Sequence, residues 1–184
     1  EIMKKKVWIF NHYATDTMLD HGGRHYWFAK YLTRAGYDVR IFCASTVHDT
    51  DINFDVGESG YCDKEVDGLK YTLIETSNYV GNGKSRVKNM YQFYRRIFRV
   101  VKNYDKPDVI FASSVHPLTL LAGIKIAKKL GVKCICEVRD LWPESLVEYE
   151  IIPRNHILTK LMYRGERRLY RRADTLIFTM PGAG

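Results

Sequence analysis

What most constrains this sequence is an alternation. Short β-rich apolar runs take turns with longer stretches of helical periodicity. Residues 6–11 (KVWIFN), 39–44 (VRIFCA), 69–75, 108–113 (DVIFAS), 132–138 and 175–179 (TLIFT) read as six strands. Residues 24–35 read as a helix with Phe28, Tyr31, Leu32 and Ala35 on one face, and Gly36 stands where a helix C-terminus favours glycine. Residues 86–104, 117–130 and 157–172 supply the other main helices, with Pro117 in a first turn and Gly131 at a stop. Strand and helix in alternation call for a parallel sheet covered on both faces. The expectation is a doubly wound, Rossmann-like α/β layer, with the 184 residues forming one domain around a sizeable core. The acidic stretch 46–67 reads as an excursion over the surface.

Several classes are excluded early. Hydrophobic residues make up 46% and charged residues 27%, which rules out disorder or a coiled coil as the main state. No apolar run approaches the ~18–20 residues that span a bilayer, and the few residues before the first strand do not read as a secretory signal, so none is expected. Cys43, Cys134 and Cys136 lie in apolar strand-like runs, where cysteine packs as a small hydrophobe. Cys134 and Cys136 are one residue apart, which is not a zinc spacing. Reduced thiols, no metal site and a cytosolic location are the expectation.

The net charge of +8 is unevenly spread. Between 49 and 67 seven carboxylates face the single Lys64. Between 84 and 106 eight basic residues oppose only Asp105, and between 154 and 174 seven oppose Glu166 and Asp174. Both basic stretches carry apolar residues at helical spacing, among them Met90, Tyr94, Ile97 and Val101 in the first and Leu158, Leu161 and Leu169 in the second. Either these are amphipathic helices with solvated basic faces, or a basic face meets an anionic membrane or a phosphate-bearing ligand. No nucleic-acid motif accompanies the charge.

In open α/β sheets ligands bind beyond the carboxyl ends of the strands, so those ends carry the candidates. The first is a loop of about twelve residues closing on His21-Gly22-Gly23-Arg24, longer than the ~2–6 of an ordinary βα connection. It lacks the G-x-G-x-x-G dinucleotide pattern. Two glycines at a helix N-terminus either let a phosphate approach bare N–H groups or serve only as a hinge. After the fourth strand comes Ser113-Ser114-Val115-His116-Pro117, where the histidine either caps the next helix or faces the cleft. After the fifth comes Glu137-Val138-Arg139-Asp140-Leu141-Trp142-Pro143-Glu144, a group of charges that is costly beside a core unless paired. A structural pair of Arg139 with Asp140 or Glu137 is one account of it, and a polar active-site edge is the other.

These same segments resemble glycosyltransferase family 4. The double glycine opening the first helix, His116-Pro117, the string Arg139-Asp140-Leu141-Trp142-Pro143-Glu144, and Tyr79-x-Gly81-Asn82-Gly83-x-x-Arg86 followed by Asn89-Met90 carry the likeness. More narrowly the chain is similar to bacterial aminosugar transferases of O-antigen, lipopolysaccharide and capsule synthesis, including those handling N-acetyl-fucosamine. The resemblance implies the GT-B fold, two Rossmann-like halves across a cleft. It makes residues 1–184 the N-terminal, acceptor-side half, with the donor-nucleotide domain outside this chain. It implies a retaining transfer from a UDP- or GDP-type sugar nucleotide to a polyprenyl-diphosphate-linked saccharide, without metal or other cofactor. The full enzyme would act at the inner face of the cytoplasmic membrane, and the isolated half would be inactive. By the same resemblance Asp140 and His116 are catalytic candidates, and Gly22 and Gly23 contact the donor diphosphate. Arg24, Asn82, Arg86, Arg139 and Glu144 become acceptor-side residues. Two rival classes stay open: a single-domain nucleotide-sugar epimerase or dehydrogenase, and a basic nucleic-acid-binding domain.

Overall fold

A computed structural model describes residues 4–81, 83–148 and 152–180. The strands are β1 Lys6–Phe10, β2 Asp38–Ala44, β3 Tyr61–Val66, β4 Leu69–Ile74, β5 Val109–Ser114, β6 Lys133–Val138 and β7 Thr175–Phe178. The helices are α1 Ala14–Leu19, α2 Arg24–Arg34, α3 Lys84–Val100, α4 Pro117–Leu130, α5 Glu144–Glu148 and α6 Ile157–Tyr170, with a 3₁₀ turn at Val101–Asn103 after α3. One sheet runs β3-β4-β2-β1-β5-β6-β7. Every pairing is parallel except that of β3 with β4. Without β3 the six remaining strands follow the doubly wound order, and the order reverses between β1 and β5.

The expected Rossmann-like α/β layer is therefore present, with three elements that the sequence pattern did not show: the short α5, β3 and α1. The acidic stretch holds β3, an edge strand whose Asp63, Lys64 and Glu65 are all exposed. The long first loop holds α1, six residues that pack between β2 and α2.

Period-two alternation divides the core into two layers. Trp8, Phe10, Phe42, Ile110, Ala112, Cys134, Cys136 and Val138 face α3, α4 and Leu169 of α6. Val7, Ile9, Val39, Ile41, Tyr71 and Leu73 face α1 and α2. α4 lies close to the sheet because Gly123 has no side chain: a Cβ there would stand 2.6 Å from Ala112 Cβ and 3.2 Å from Cys134 Sγ. Where the alternation runs past the ends of β1, β5 and β6, both layers change from apolar to polar.

Candidate active site at the carboxyl edge

On the α2 face, β5 and β6 place Ser113 and Glu137 side by side in register. Glu137 is fully buried. Its Oε2 accepts hydrogen bonds from Ser113 Oγ (2.7 Å) and His25 Nε2 (2.8 Å), and its Oε1 accepts from Arg24 Nε (2.5 Å). Asn11, just beyond β1, completes the chain: its Oδ1 accepts from the Tyr13 amide at 3.2 Å and its Nδ2 donates to His25 Nδ1 at 2.8 Å. That amide orientation leaves His25 Nδ1 as an acceptor and puts its proton on Nε2, facing the carboxylate. Burial alone would raise the Glu137 carboxyl. The hydrogen bonds from His25 and Ser113, joined by the hydrogen bond from Arg24, overcome it and hold the pKa at about 2.

On the opposite face the edge is aromatic and imidazole-rich. His12 and His116 are buried, with ring centroids 4.9 Å apart and edge to face. Asn89 of α3 donates through Nδ2 to Thr46 Oγ1 (3.0 Å) and the Ser77 carbonyl (2.7 Å), so its Oδ1 must accept from His12 Nε2 at 2.6 Å. The His12 proton is thereby fixed on Nε2 and its Nδ1 keeps a bare lone pair. That Nδ1 and the Nδ1 of His116 are buried without a hydrogen-bond partner among the described residues. Burial pushes His12 down to about 3 against the pull of the Asn89 hydrogen bond, and the Arg86 charge pushes the same way. His116 is pushed well below its ordinary range by burial first, and then by its neighbours, the His12 imidazole and the Arg86 guanidinium. Tyr13 bridges outward: its ring stacks on His48 at 4.4 Å, and its hydroxyl accepts from Arg86 Nε at 3.1 Å. His48 in turn hydrogen-bonds the Tyr79 hydroxyl.

The remaining candidates are placed as follows. Gly23 is the N-cap of α2 at φ +84°, and a Cβ there would meet Thr17 Cγ2 at 2.9 Å. The amides of Gly23, Arg24 and His25 make no hydrogen bond among the described residues. The Gly22 amide is taken, donating to the Thr17 carbonyl at 3.2 Å. His116 is the N-cap position of α4 but makes no side-chain cap bond, so it is a buried group and not a helix cap. Neither expected structural pair of Arg139 forms among the described residues. Glu137 turns inward to Arg24 and His25, and Asp140 is exposed at the strand end. The loop carrying Asp140 is tied back by Trp142 Nε1, which donates to the Val115 carbonyl at 3.2 Å. Glu144, at the start of α5, pairs with Arg154 and accepts from Tyr163. Asn82 lies outside the described residues.

Sequence reasoning gave no site role to Asn11, His12, His25, Ser113 or Asn89, although Ser113 and Asn89 lay in segments it named, and it left Glu137 either as a structural partner for Arg139 or as part of a polar active-site edge. A signal did exist for Glu137: within the buried run of β6 it occupies an inward position where a charge survives only if matched.

The six-strand parallel order, the reversal between β1 and β5 and a polar edge at that reversal describe a doubly wound α/β layer with a candidate ligand edge, and comparison with known proteins narrows it. A model of the glycosyl transferase 4-like domain matches residues 23–183. The chain belongs to that family. This glycosyl transferase 4-like domain also resembles sucrose-phosphate synthase from Thermosynechococcus elongatus, with 11% identity and a TM-score of 0.57 over 96% of this chain and 77% of that one. At that identity the likeness shows the fold, a GT-B glycosyltransferase domain. The FeoB G-domain from Methanococcus jannaschii also aligns, at 12% identity over 96% of this chain and 86% of that one, but its TM-score is 0.29. No curated protein sequence matches the domain. Among the described residues no helix is long and apolar enough to cross a membrane.

Proposed function

We propose that this glycosyltransferase domain is the acceptor-side half of a retaining enzyme. It would move a sugar from a UDP- or GDP-type nucleotide onto a polyprenyl-diphosphate-linked saccharide in bacterial surface polysaccharide synthesis. The observation that carries the reading is the polar edge at the strand-order reversal, in a chain of this family. The basic helices support the lipid part. On α3, Val87 and Tyr91 are exposed beside Arg95 and Arg99, and on α6 Ile157, Leu158 and Leu161 are exposed beside Arg164 and Arg168. Such faces suit the inner, anionic surface of a cytoplasmic membrane, where each cation contributes about 1 kcal/mol.

In this reading the acceptor oxygen bonds the anomeric carbon, the nucleoside diphosphate leaves with the bonding pair, and the acceptor's proton passes to an oxygen of that leaving diphosphate. Arg24, an acceptor-side residue by the resemblance, is reassigned to the donor side: its guanidinium and the bare amides of Gly23 to His25 stabilise the leaving diphosphate. Gly22 keeps the turn open without offering its own amide. Arg86, Arg139, Glu144 and Asn82 shape the acceptor side. His116 and Asp140 stand nearest the chemistry, Asp140 as a carboxylate favouring positive charge at the anomeric carbon. No metal takes part, and the domain on its own transfers no sugar.

The test is sugar transfer by the protein joined to its donor domain, from a panel of nucleotide sugars to lipid-diphosphate acceptors, with and without chelator. Transfer unaffected by chelator is expected. Asp140→Asn is expected to lower turnover by ~10²-fold, about 2.7 kcal/mol, without moving the melting temperature. A lower melting temperature with normal turnover would make Asp140 a bracing residue. Robust transfer by the 184 residues alone would defeat the half-enzyme reading.

A further inference from the structure

We propose that Glu137 is a positioning residue: from inside the core it aims the Arg24 guanidinium at the anionic oxygens of the substrate. The proposal rests on the diphosphate-contact reading above and assigns the group that makes that contact specific.

Placement comes first. β6 alternates, so Cys134, Cys136 and Val138 enter the α3/α4 layer while Glu137 enters the layer under α2. Ser113 sits beside it in register on β5, and the first turn of α2 lies over both. Of the three donors to this carboxylate, His25 and Ser113 are as buried as Glu137 itself. Arg24 alone reaches solvent, with 44% of its side chain exposed. A fully buried carboxylate is retained only with its lone pairs matched, and a simple helix-to-sheet contact would be made more cheaply by apolar groups.

The geometry of Arg24 shows what the arrangement accomplishes. Its inner nitrogen, Nε, is the one given to Glu137, and its Cζ lies 4.8 Å above the Phe28 ring. A hydrogen bond and a ring face together fix the plane of the guanidinium. Nη1 and Nη2 make no hydrogen bond among the described residues and form a fork of fixed direction. The fork leaves from the residue that also carries one of the bare first-turn amides. A lysine could supply the charge but neither the inner hydrogen bond nor the plane.

Purely structural glue and positioning predict different outcomes. In the 184-residue chain, the Arg24 Nε–H should give a slowly exchanging NMR resonance, and inorganic diphosphate should perturb the amides of Gly23 to His25. Glu137→Gln should abolish the slow exchange and weaken diphosphate by about ten- to a hundredfold, the weight of a charged hydrogen bond. Arg24→Lys, at the exposed end of the network, should weaken diphosphate equally, and the double variant should be no weaker than either, because both act through one geometry. Should Glu137→Gln not fold, Arg24→Lys and Ser113→Ala still decide. Ser113→Ala leaves the Arg24 bond in place and should keep diphosphate affinity near normal.

In the enzyme with its donor domain the same variants should raise KM for the nucleotide sugar far more than they lower kcat. Additive losses in the double variant, a slow Arg24 Nε–H that survives Glu137→Gln, or native amides blind to diphosphate would each overturn the proposal. A native enzyme without sugar transfer would defeat the functional reading instead, leaving the diphosphate and exchange results to stand on their own.

Discussion

On the α2 face of the carboxyl edge, every side-chain polar atom of Asn11, His25, Ser113 and Glu137 has a partner. On the α3 face His12 and His116 each keep a ring nitrogen without one. Both clusters are buried, both sit at the carboxyl ends of neighbouring strands, and both contain imidazole. They differ in what stands opposite. The first has a carboxylate, which accepts three donors and tolerates its charge because those donors converge on it. The second has only Asn89, whose single free acceptor is spent on His12 Nε2. A closed network rigidifies, whereas one with open valences is poised for a group that can supply a donor. In an acceptor-side site that group would be a sugar hydroxyl.

Breaking the closed cluster should have the largest effect. Glu137→Leu leaves His25 and Ser113 as buried donors without an acceptor, and a loss of ~3–5 kcal/mol is expected. For a chain of this size that is roughly a 10 °C fall in melting temperature by calorimetry. A fall under about 1 kcal/mol would erase the difference between the two faces.

The next effect is in pH. The imidazoles of His12 and His116 protonate more readily in the unfolded chain than in the folded one, so the unfolded state takes up more protons below about pH 6.5. Stability should therefore fall as pH drops from about 6.5 toward the value of about 3 at His12. From pH 7 to 5 the expected loss is about 2 kcal/mol for His12. His12→Gln should flatten that part of the profile in urea titrations. The closed cluster acts lower: Glu137 stabilises the fold above about 4.5 and loses its contribution as pH falls through about 2. An acid profile whose first step survives His12→Gln and His116→Gln would contradict the burial of neutral imidazoles.

A smaller effect separates the two glycines. Gly23→Ala meets Thr17 at a left-handed φ and should cost ~1–2 kcal/mol, whereas Gly22→Ala, with only the Asp20 carbonyl at 3.6 Å, should stay within ~0.5 kcal/mol in thermal melts. Only a small effect on stability is expected at His116. Its one side-chain hydrogen bond among the described residues is 3.4 Å, with Thr119 Oγ1. His116→Leu should change stability by less than ~1 kcal/mol while impairing sugar transfer, since an unmatched buried nitrogen adds little to the fold. A loss comparable to that of Glu137→Leu would show that the open cluster is structural too.

Much of the frame was legible because it rests on periodicity. The six parallel strands and four main helices fall within a few residues of their sequence-based bounds, and Pro117 and Gly131 frame α4. β3 was not legible. Its side chains are half-exposed or exposed throughout, so a strand defined only by backbone pairing to β4 looks like an acidic loop. α1 is too short to display a helical period. At the site, single segments such as Gly22-Gly23 and Arg139–Asp140 stand out because their composition is local. The Glu137 network draws on β5, β6, α2 and the end of β1, and separations of 112 and 24 residues leave no pattern in a linear reading.

β3 also bears on how this sheet behaves among its neighbours in solution. It runs against the direction of the other strands and presents Asp63, Lys64 and Glu65 along its length, with Asp63 held by Arg40 and by Tyr104. A parallel edge left bare beside β4 would offer Tyr71 and Leu73 and a row of unsatisfied amides to any other extended chain. The charged antiparallel strand occupies that edge and repels a second copy. On that side the sheet is protected from templating intermolecular β-structure, and the acidic stretch that reads in the sequence as a surface excursion guards against aggregation.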